Sequence, residues 1–463
     1  MDADGDFVVA WESDSQDSDA SGWGIFAQRY AADGTPQGAE FRVNTYTTND
    51  QRFPSAAMDA DGDFVVAWTS VGQDGSSFGV FAQRFAADGT PQGPEFQVNT
   101  YTTSFQSGAS VAMDADGDFV VAWTSFDQDG VRDGVFAQRF ATDGTPQGPE
   151  FLVNTYTPDN QLLPSVAMDA TGDFVTAWQG NSPDGDVIGV FAQRFGADGT
   201  PQGPEFLAST YTTSSQTEPS AAMDADGDFV IVWQGDSRDG DGVFAQRFAA
   251  DGTLQGPEFQ VNTYTTGDQL LPSVAMDAEG NFVVAWMSGS LGDTQDGDSF
   301  GVFAQRFGAD GTPQGSEFQA NTYTTSRQGF PSVAMDAGGD FVVTWESYGQ
   351  DGESLGIYAQ RFSASPVANE DDAPLPTTLA LDAVFPNPVR DAATLRYALP
   401  TTAAVRLSVT DVLGRTVLAR AEGVQPAGEH EARLALGDLP SGVYVVRLDA
   451  NGTTVTQRVS VVR

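Results

Sequence analysis

The sequence has no cysteine, no lysine and one histidine, His430. Without cysteine there is no disulfide scaffold, no thiol nucleophile and no cysteine-based metal site. With neither cysteine nor histidine before residue 430, the larger part of the chain also lacks the nucleophile–base pairs of covalent catalysis. Basic charge is scarce, with 21 arginines against 64 acidic residues. Residues 376–463 hold nine Arg and eight acids, a net of +1, whereas residues 1–375 hold twelve Arg and 56 acids, a net of −44. A field of that sign repels nucleic acid and anionic membrane surfaces. It suits a solvated surface in salty water, or one that gathers cations. No apolar run approaches the length of a membrane span, so none is expected.

One stretch recurs. Met58-Asp-Ala-Asp-Gly-Asp-Phe-Val-Val-Ala-Trp68 has counterparts beginning at Met1, Met113, Met168, Met223, Met276 and Met335, at steps of 57, 55, 55, 55, 53 and 59 residues. A fixed period of this size marks one supersecondary unit stacked many times.

Within residues 54–100, Pro54-Ser-Ala-Ala-Met58 is built mostly of small residues and Asp59-Ala-Asp-Gly62 is a tight-turn signal. Asp63–Trp68 then puts Phe64, Val66 and Trp68 on one face and Val65 and Ala67 on the other. A strand with a large apolar face and a small one is covered on both sides, so the large face of one unit can pack on the small face of the next. After a polar loop, Gly79–Phe85 is a third strand. The turn cluster Ala86–Gly93 leads to a fourth, Glu95–Thr100, with one wet face. Four short strands per repeat, graded from buried to half-solvated, predict an all-β chain whose residues 1–363 form a seven-bladed β-propeller. A row of separate sandwiches is the weaker rival, since four strands with two apolar faces cannot bury themselves alone. The repeats, with Gly-Asp-Phe-Val-Val-Ala-Trp, Gly-Val-Phe-Ala-Gln-Arg-Phe and Glu-Phe-Gln-Val-Asn-Thr, resemble arrays in large secreted surface proteins of bacteria.

Composition changes after Phe362. Residues 364–378, rich in Pro, Ala and acids, read as a flexible linker. Residues 379–463 alternate in short runs that suit a small Ig-like β-sandwich. Three motifs stand there in order: Phe385-Pro386-Asn387-Pro388, then Asp411-Val-Leu-Gly414-Arg415-Thr-Val417, then Leu439-Pro-Ser-Gly442-Val-Tyr444-Val-Val-Arg-Leu448. This tail resembles the C-terminal sorting domain of type IX secretion cargo. The resemblance implies a bacterium of the Bacteroidetes or a relative, partnership with the type IX translocon and its processing peptidase, and release or display at the outer surface.

Several residue sets invite a chemical reading. Asp59-Ala-Asp-Gly-Asp63 spaces carboxylates as a calcium loop does. The copies Asp169-Ala-Thr-Gly-Asp173 and Asp336-Ala-Gly-Gly-Asp340 lose the middle carboxylate but keep the glycine, which favours a plain turn and no cofactor. The Gln-Asp-Gly loops, as at 73–75, read the same way. Arg29, Arg84, Arg139, Arg194, Arg247, Arg306 and Arg361 take one position of the third strand. A ring of anion ligands is one reading; a donor that ties each blade to its neighbour is the favoured one. The repeated Trp is read as core. Carboxylate pairs could serve glycoside hydrolysis, but no repeat carries the long insertion such a site needs.

The expected function is a secreted or cell-surface binding or structural module without catalysis. A calcium-dependent adhesin-like protein is the first alternative and a polysaccharide-acting enzyme the second. Candidate ligand contacts lie where the repeats differ: Arg52, Arg132, Arg238 and Arg327 in variable loops, and Phe53, Leu163, Leu271 and Phe330 just before the inner strand. Exposed apolar groups among polar ones suit a glycan or a surface protein; the alternative is that they plug the channel mouth. Lastly, Met1 aligns with a residue inside the repeat, the first repeat lacks the Pro-Ser-Val-Ala strand and the seventh lacks the Glu-Phe-Gln-Val-Asn-Thr strand. The expectation is two adjacent incomplete blades, with Met1 not the native start and an upstream segment supplying both strands and an export signal.

Overall fold

The computed structural model describes residues 1–14, 16, 22–181, 187–211, 214–237, 240–290, 295–352, 354–364, 378–381, 387–390, 392–401, 403–425, 428–437, 439–450 and 453–462. Among these every regular element is a β-strand. The chain divides into two compact units, Met1–Ala364 and Ser365–Arg463.

The first unit is a succession of antiparallel sheets, propeller-like in arrangement. Sheet two is typical, with Gln51–Met58, Phe64–Val71, Phe78–Phe85 and Phe96–Gln97 hydrogen-bonded in chain order. Sheets three to six repeat it. Sheet one has three strands, Phe7–Asp14, Trp23–Tyr30 and Phe41–Arg42, and sheet seven has three, Gln328–Met335, Phe341–Tyr348 and Leu355–Phe362. All seven Met-Asp-Ala triplets line one opening. Sheet seven meets sheet one at this end, where Asp336 approaches Gly5 and Arg361 approaches Gly34.

The turns explain the hairpins. Asp59 Oδ1 accepts the backbone N–H groups of Asp61 and Asp63 at 3.0 and 2.9 Å, and Gly62 takes φ +88°, which L side chains rarely adopt. Asp63 in turn accepts Ala87 N–H through Oδ1 and Gln92 Nε2 through Oδ2, both at 2.8 Å. The carboxylates with calcium-like spacing are therefore the hydrogen-bond acceptors that shape the hairpin and tie it to the next turn.

Packing between sheets follows the two-faced pattern. Val65, Ala67, Val80 and Ala82 of sheet two pack against Phe119, Trp123 and Phe136 of sheet three, and equivalent clusters join each pair from sheets one and two to sheets six and seven. Trp68, Trp123, Trp178, Trp233 and Trp286 have no exposed surface. The repeated arginine is a tie: Arg139 Nη1 donates to Asp198 O at 2.7 Å and Arg306 Nη2 to Ala364 O at 2.7 Å, each reaching the turn after the next sheet's third strand. Arg29, Arg84, Arg194 and Arg247 make the same contact.

Two strand boundaries differ from the sequence reading. The inner strand begins at Gln51, not Ser55, because a two-for-one bulge at Phe53-Pro54 lets pairing continue past a proline that has no N–H to give. The outer strand is short, pairing through Phe96 and Gln97 with one more main-chain bond from Val98 N–H to Val80 O at 2.8 Å. Beyond them the side chain of Asn99 takes over, accepting Val80 N–H at 2.7 Å.

Charge sets an expectation for stability. Asp2, Asp59, Asp114 and Asp224 have their carboxyls raised above the ordinary range, chiefly by burial. A raised acid penalises the folded state while ionised, and the penalty lifts as pH falls through the folded value. Asp33, Asp88, Asp143, Asp198 and Asp310 are held below the ordinary range by neighbouring threonines, so their contribution is lost only under more acid conditions. The tryptophan-fluorescence melting temperature is expected to rise on moving from pH 7.5 towards pH 5, and also on adding salt at pH 7.5, as self-repulsion is screened. Flat or falling curves in both titrations would show that these carboxylates do not limit stability.

The second unit holds two antiparallel sheets, Ala380–Leu381 with Ala392–Leu399 and Gly428–Ala435, and Thr416–Gln425 with Ala403–Thr410, Gly442–Ala450 and Thr453–Val461. Leu395, Leu407, Leu434, Leu448 and Val459 share its core. Asp411 Oδ1 caps the turn by accepting Leu413 and Arg415 N–H at 2.9 Å each, Arg415 pairs back to Asp411 at 2.7 Å, and Gly414 supplies φ +81°. Asn387 Oδ1 accepts Ser460 N–H at 2.9 Å, Pro388 follows it across a cis bond, and Tyr444 Oη donates to Pro440 O at 2.8 Å two residues before Gly442 opens its strand. Pro386 and residues 365–377 lie outside the described residues.

Candidate functional site

The inner strands create the site. In sheets two to seven each carries a bulge at the same place, and the residue there has positive φ: Phe53 (56°), Gly108 (66°), Leu163 (52°), Glu218 (54°), Leu271 (52°) and Phe330 (52°). Five of these are not glycine, and a left-handed backbone costs a non-glycine residue on the order of 1 kcal/mol. The strain is repeated, not incidental, and the side chain is what varies.

A matching acceptor steadies five of the six bulges; the sixth, Phe330, faces Met287, which follows Trp286 and offers no oxygen. The bulge N–H donates to the side chain that follows the tryptophan of the preceding sheet: Phe53 to Glu12 Oε2 at 2.8 Å, Gly108 to Thr69 Oγ1 at 3.2 Å, Leu163 to Thr124 Oγ1 at 3.2 Å, Glu218 to Gln179 Oε1 at 2.9 Å and Leu271 to Gln234 Oε1 at 3.1 Å. The strands run from the bulge to the Met-Asp-Ala opening, so the bulges stand towards the opposite end. Three of their side chains are well exposed, Phe53 at 59%, Leu163 at 40% and Phe330 at 49%, while Leu271 is half-buried.

Arginines sit on two of them. Arg52 pairs with Glu12 at 3.0 Å and lies 4.3 Å from the Trp23 ring centroid and 5.5 Å from that of Phe53. Arg327 lies 4.8 Å over Phe330. Such cation–π contacts contribute about 0.5–2 kcal/mol and hold the rings in place. Arg132 is elsewhere: it occupies the hairpin tip of sheet three, with φ 57°, and pairs with Asp159 at 3.7 Å. Arg238 lies outside the described residues.

Phe53, Leu163, Leu271 and Phe330 thus belong to the inner strand itself and not to the loop before it, which corrects the sequence expectation; the bulge displaced the boundary. Sequence reasoning missed Glu218 and Gly108 because neither is apolar. Aligning the five copies of Gln-x-x-Pro-Ser with Gln106-Ser-Gly-Ala-Ser110 would have found both. Glu218 is half-buried, and that burial raises its carboxyl above the ordinary range. Among the described residues no cluster of three acidic or histidine side chains suits a metal ion.

Residues 383–462 match the family model described as a secretion system C-terminal sorting domain. The tail is such a domain, and it directs the chain to secretion or the cell surface. No helix among the described residues is long and apolar enough to cross a membrane. No curated protein matches the chain in sequence. Among solved structures, the β-propeller domain of the Trilobed protease from Pyrococcus furiosus is 8% identical with a TM-score of 0.43, covering 78% of this chain and 92% of its own. PorZ, a surface component of the type IX secretion system of Porphyromonas gingivalis, is 15% identical with a TM-score of 0.40, covering 99% of this chain and 58% of its own. The alpha-L-arabinanase of Penicillium chrysogenum, solved with arabinobiose, is 15% identical with a TM-score of 0.45, covering 64% of this chain and 88% of its own.

Proposed function

We propose that residues 1–363 are a seven-bladed β-propeller serving outside the cell as a binding module without catalysis. Residues 379–463 are then a small Ig-like sandwich read by the type IX translocon and removed by its peptidase. The observation that carries the reading is the ring of strained bulges. Six copies keep the same left-handed backbone, five of them with the same supporting hydrogen bond, yet present Phe, Gly, Leu, Glu, Leu and Phe. Packing alone would repeat the side chain, as it does at the tryptophan. Variation on a constant frame is what a recognition surface needs, and exposed apolar groups beside arginine suit a glycan ring or a protein surface.

The test is a screen of the full chain against glycans and bacterial surface proteins, followed by the Phe53→Ser/Phe330→Ser variant. Binding to a hit is expected to weaken by at least about tenfold, roughly 1.4 kcal/mol, with the melting temperature nearly unchanged because both rings are exposed. Undiminished binding would mean that the rings only close the channel mouth. Binding that chelator abolishes would favour the calcium-dependent adhesin, and turnover of a glycan would favour an enzyme.

A further inference from the structure

Glu218 is the one acid among the six bulge residues. Its neighbours around the ring are leucines, Leu163 on sheet four and Leu271 on sheet six. The inner strands that carry them, Gln161–Met168, Gln216–Met223 and Asp268–Met276, are locked side by side. Ser165 Oγ accepts Ala221 N–H at 3.0 Å, and Ser220 Oγ accepts Val274 N–H at 3.2 Å. The bulges are held as well, with Glu218 N–H on Gln179 Oε1 at 2.9 Å and Leu271 N–H on Gln234 Oε1 at 3.1 Å. A carboxylate thus stands at a defined place between two aliphatic side chains.

That carboxylate has no partner. Other acids of the first unit are occupied: Asp59 and Asp63 accept backbone N–H groups, and Glu12 pairs with Arg52 at 3.0 Å. Among the described residues neither an arginine nor a hydrogen-bond donor reaches the Glu218 side chain, although it is half-buried. A charge withdrawn from water without a counter-charge is unfavourable, and a bound cation would offset that cost.

Taking the bulge ring as a recognition surface, we propose that Glu218, with Leu163 and Leu271 beside it, binds a lysine side chain presented by a partner protein. The carboxylate calls for a cation. The leucines offer apolar surface and no hydrogen bond, which suits the four-carbon stem of lysine and not the hydroxyls of a sugar. The net charge of −44 over residues 1–375 draws cations towards the surface and repels acidic ligands. The chain has no lysine of its own, so a second copy cannot supply the group.

The probe is Nα-acetyl-lysine methylamide, titrated into the full chain at physiological ionic strength, where diffuse attraction is screened, and followed by saturation-transfer NMR. Saturable binding is expected, at least about tenfold weaker for Glu218→Gln. The probe acetylated at Nε keeps the stem but loses the charge, and is expected not to bind. Glu218→Gln preserves the shape of the side chain and removes an unpaired charge, so it is expected to fold; the Nε-acetylated probe tests the same contact on the unaltered chain. Absence of saturable binding would overturn the proposal. Equal binding by Glu218→Gln would mean attraction to the acidic surface at large, and equal binding of the Nε-acetylated probe would mean apolar contact alone; either result overturns it. Tighter binding of glucosamine or of Nα-acetyl-arginine methylamide would give the site to an amino sugar or to arginine, and overturn it as well. Phe53 and Phe330 lie on sheets two and seven, away from this probe. Failure at Glu218 therefore leaves the outcome of the Phe53→Ser/Phe330→Ser variant standing, and failure of that variant leaves this one readable.

Discussion

Trp233→Ala is expected to lower the stability of the first unit by about 3–5 kcal/mol, and Trp11→Ala by only about 1–2 kcal/mol, although the two residues occupy the same repeat position. Trp233 has 0% exposure, packs from the large face of sheet five onto the small face of sheet four, and donates from Nε1 to Gln216 Oε1 at 2.8 Å. Truncation removes a large apolar volume from a site that cannot collapse, since backbone strands frame it on both sides. It also leaves the carbonyl of a buried glutamine without its donor, which adds about 1–3 kcal/mol. Trp11 is half-buried, so truncation there loses less buried surface and leaves no enclosed cavity. Urea unfolding followed by far-UV circular dichroism gives both midpoints. Equal shifts would mean that Trp11 is as fully packed in solution as Trp233.

Leu407→Ala is expected to abolish export of the protein while leaving the first unit intact. Leu407 is at 0% exposure in the strand Ala403–Thr410, which pairs on both sides and packs among Leu395, Leu448 and Val459. Leucine-to-alanine changes at such sites cost about 2–5 kcal/mol. A domain of this size commonly has only about 5–15 kcal/mol in all. The two units can be followed separately, because all 8 tryptophans lie before residue 346. The tryptophan-fluorescence transition should therefore be unchanged while the tail becomes sensitive to protease and the chain is retained inside the cell. Normal secretion of a variant with a destabilised tail would mean that the translocon reads the motifs as a linear sequence and not as a folded domain.

The repeat made much of the fold legible. Phe64, Val66 and Trp68 alternate with Val65 and Ala67, and that alternation alone implies a strand covered on both faces. Asp59 and Gly62 mark their turn because a short carboxylate and a residue free to take positive φ are what the hairpin requires. The three tail motifs were readable for the same kind of reason, since Asp411, Gly414 and Arg415 form a local turn whose contacts stay within five residues.

The candidate site was legible only in part. Phe53, Leu163, Leu271 and Phe330 stood out as apolar residues in varying positions, but nothing local shows that the strand bulges here and does not end, and sheet three bulges at Gly108-Ala109 without a proline. That outcome depends on an acceptor from a neighbouring repeat, Glu12, which lies 41 residues away. Arg132 looked equivalent to Arg52 in sequence, yet only Arg52 has an aromatic ring beneath it, because Trp23 belongs to the preceding sheet.

The sequence by itself determined the all-β composition, the seven-fold repeat, the two-faced strands and the tail's address, since each follows from near neighbours along the chain and from backbone geometry. Only the tertiary structure decided which arginines tie neighbouring sheets, which bulge residues reach solvent together, and that Trp11 and Ile357 are partly exposed while their counterparts are buried. Burial is set by what stands opposite, and what stands opposite belongs to another sheet some fifty residues or more away along the chain.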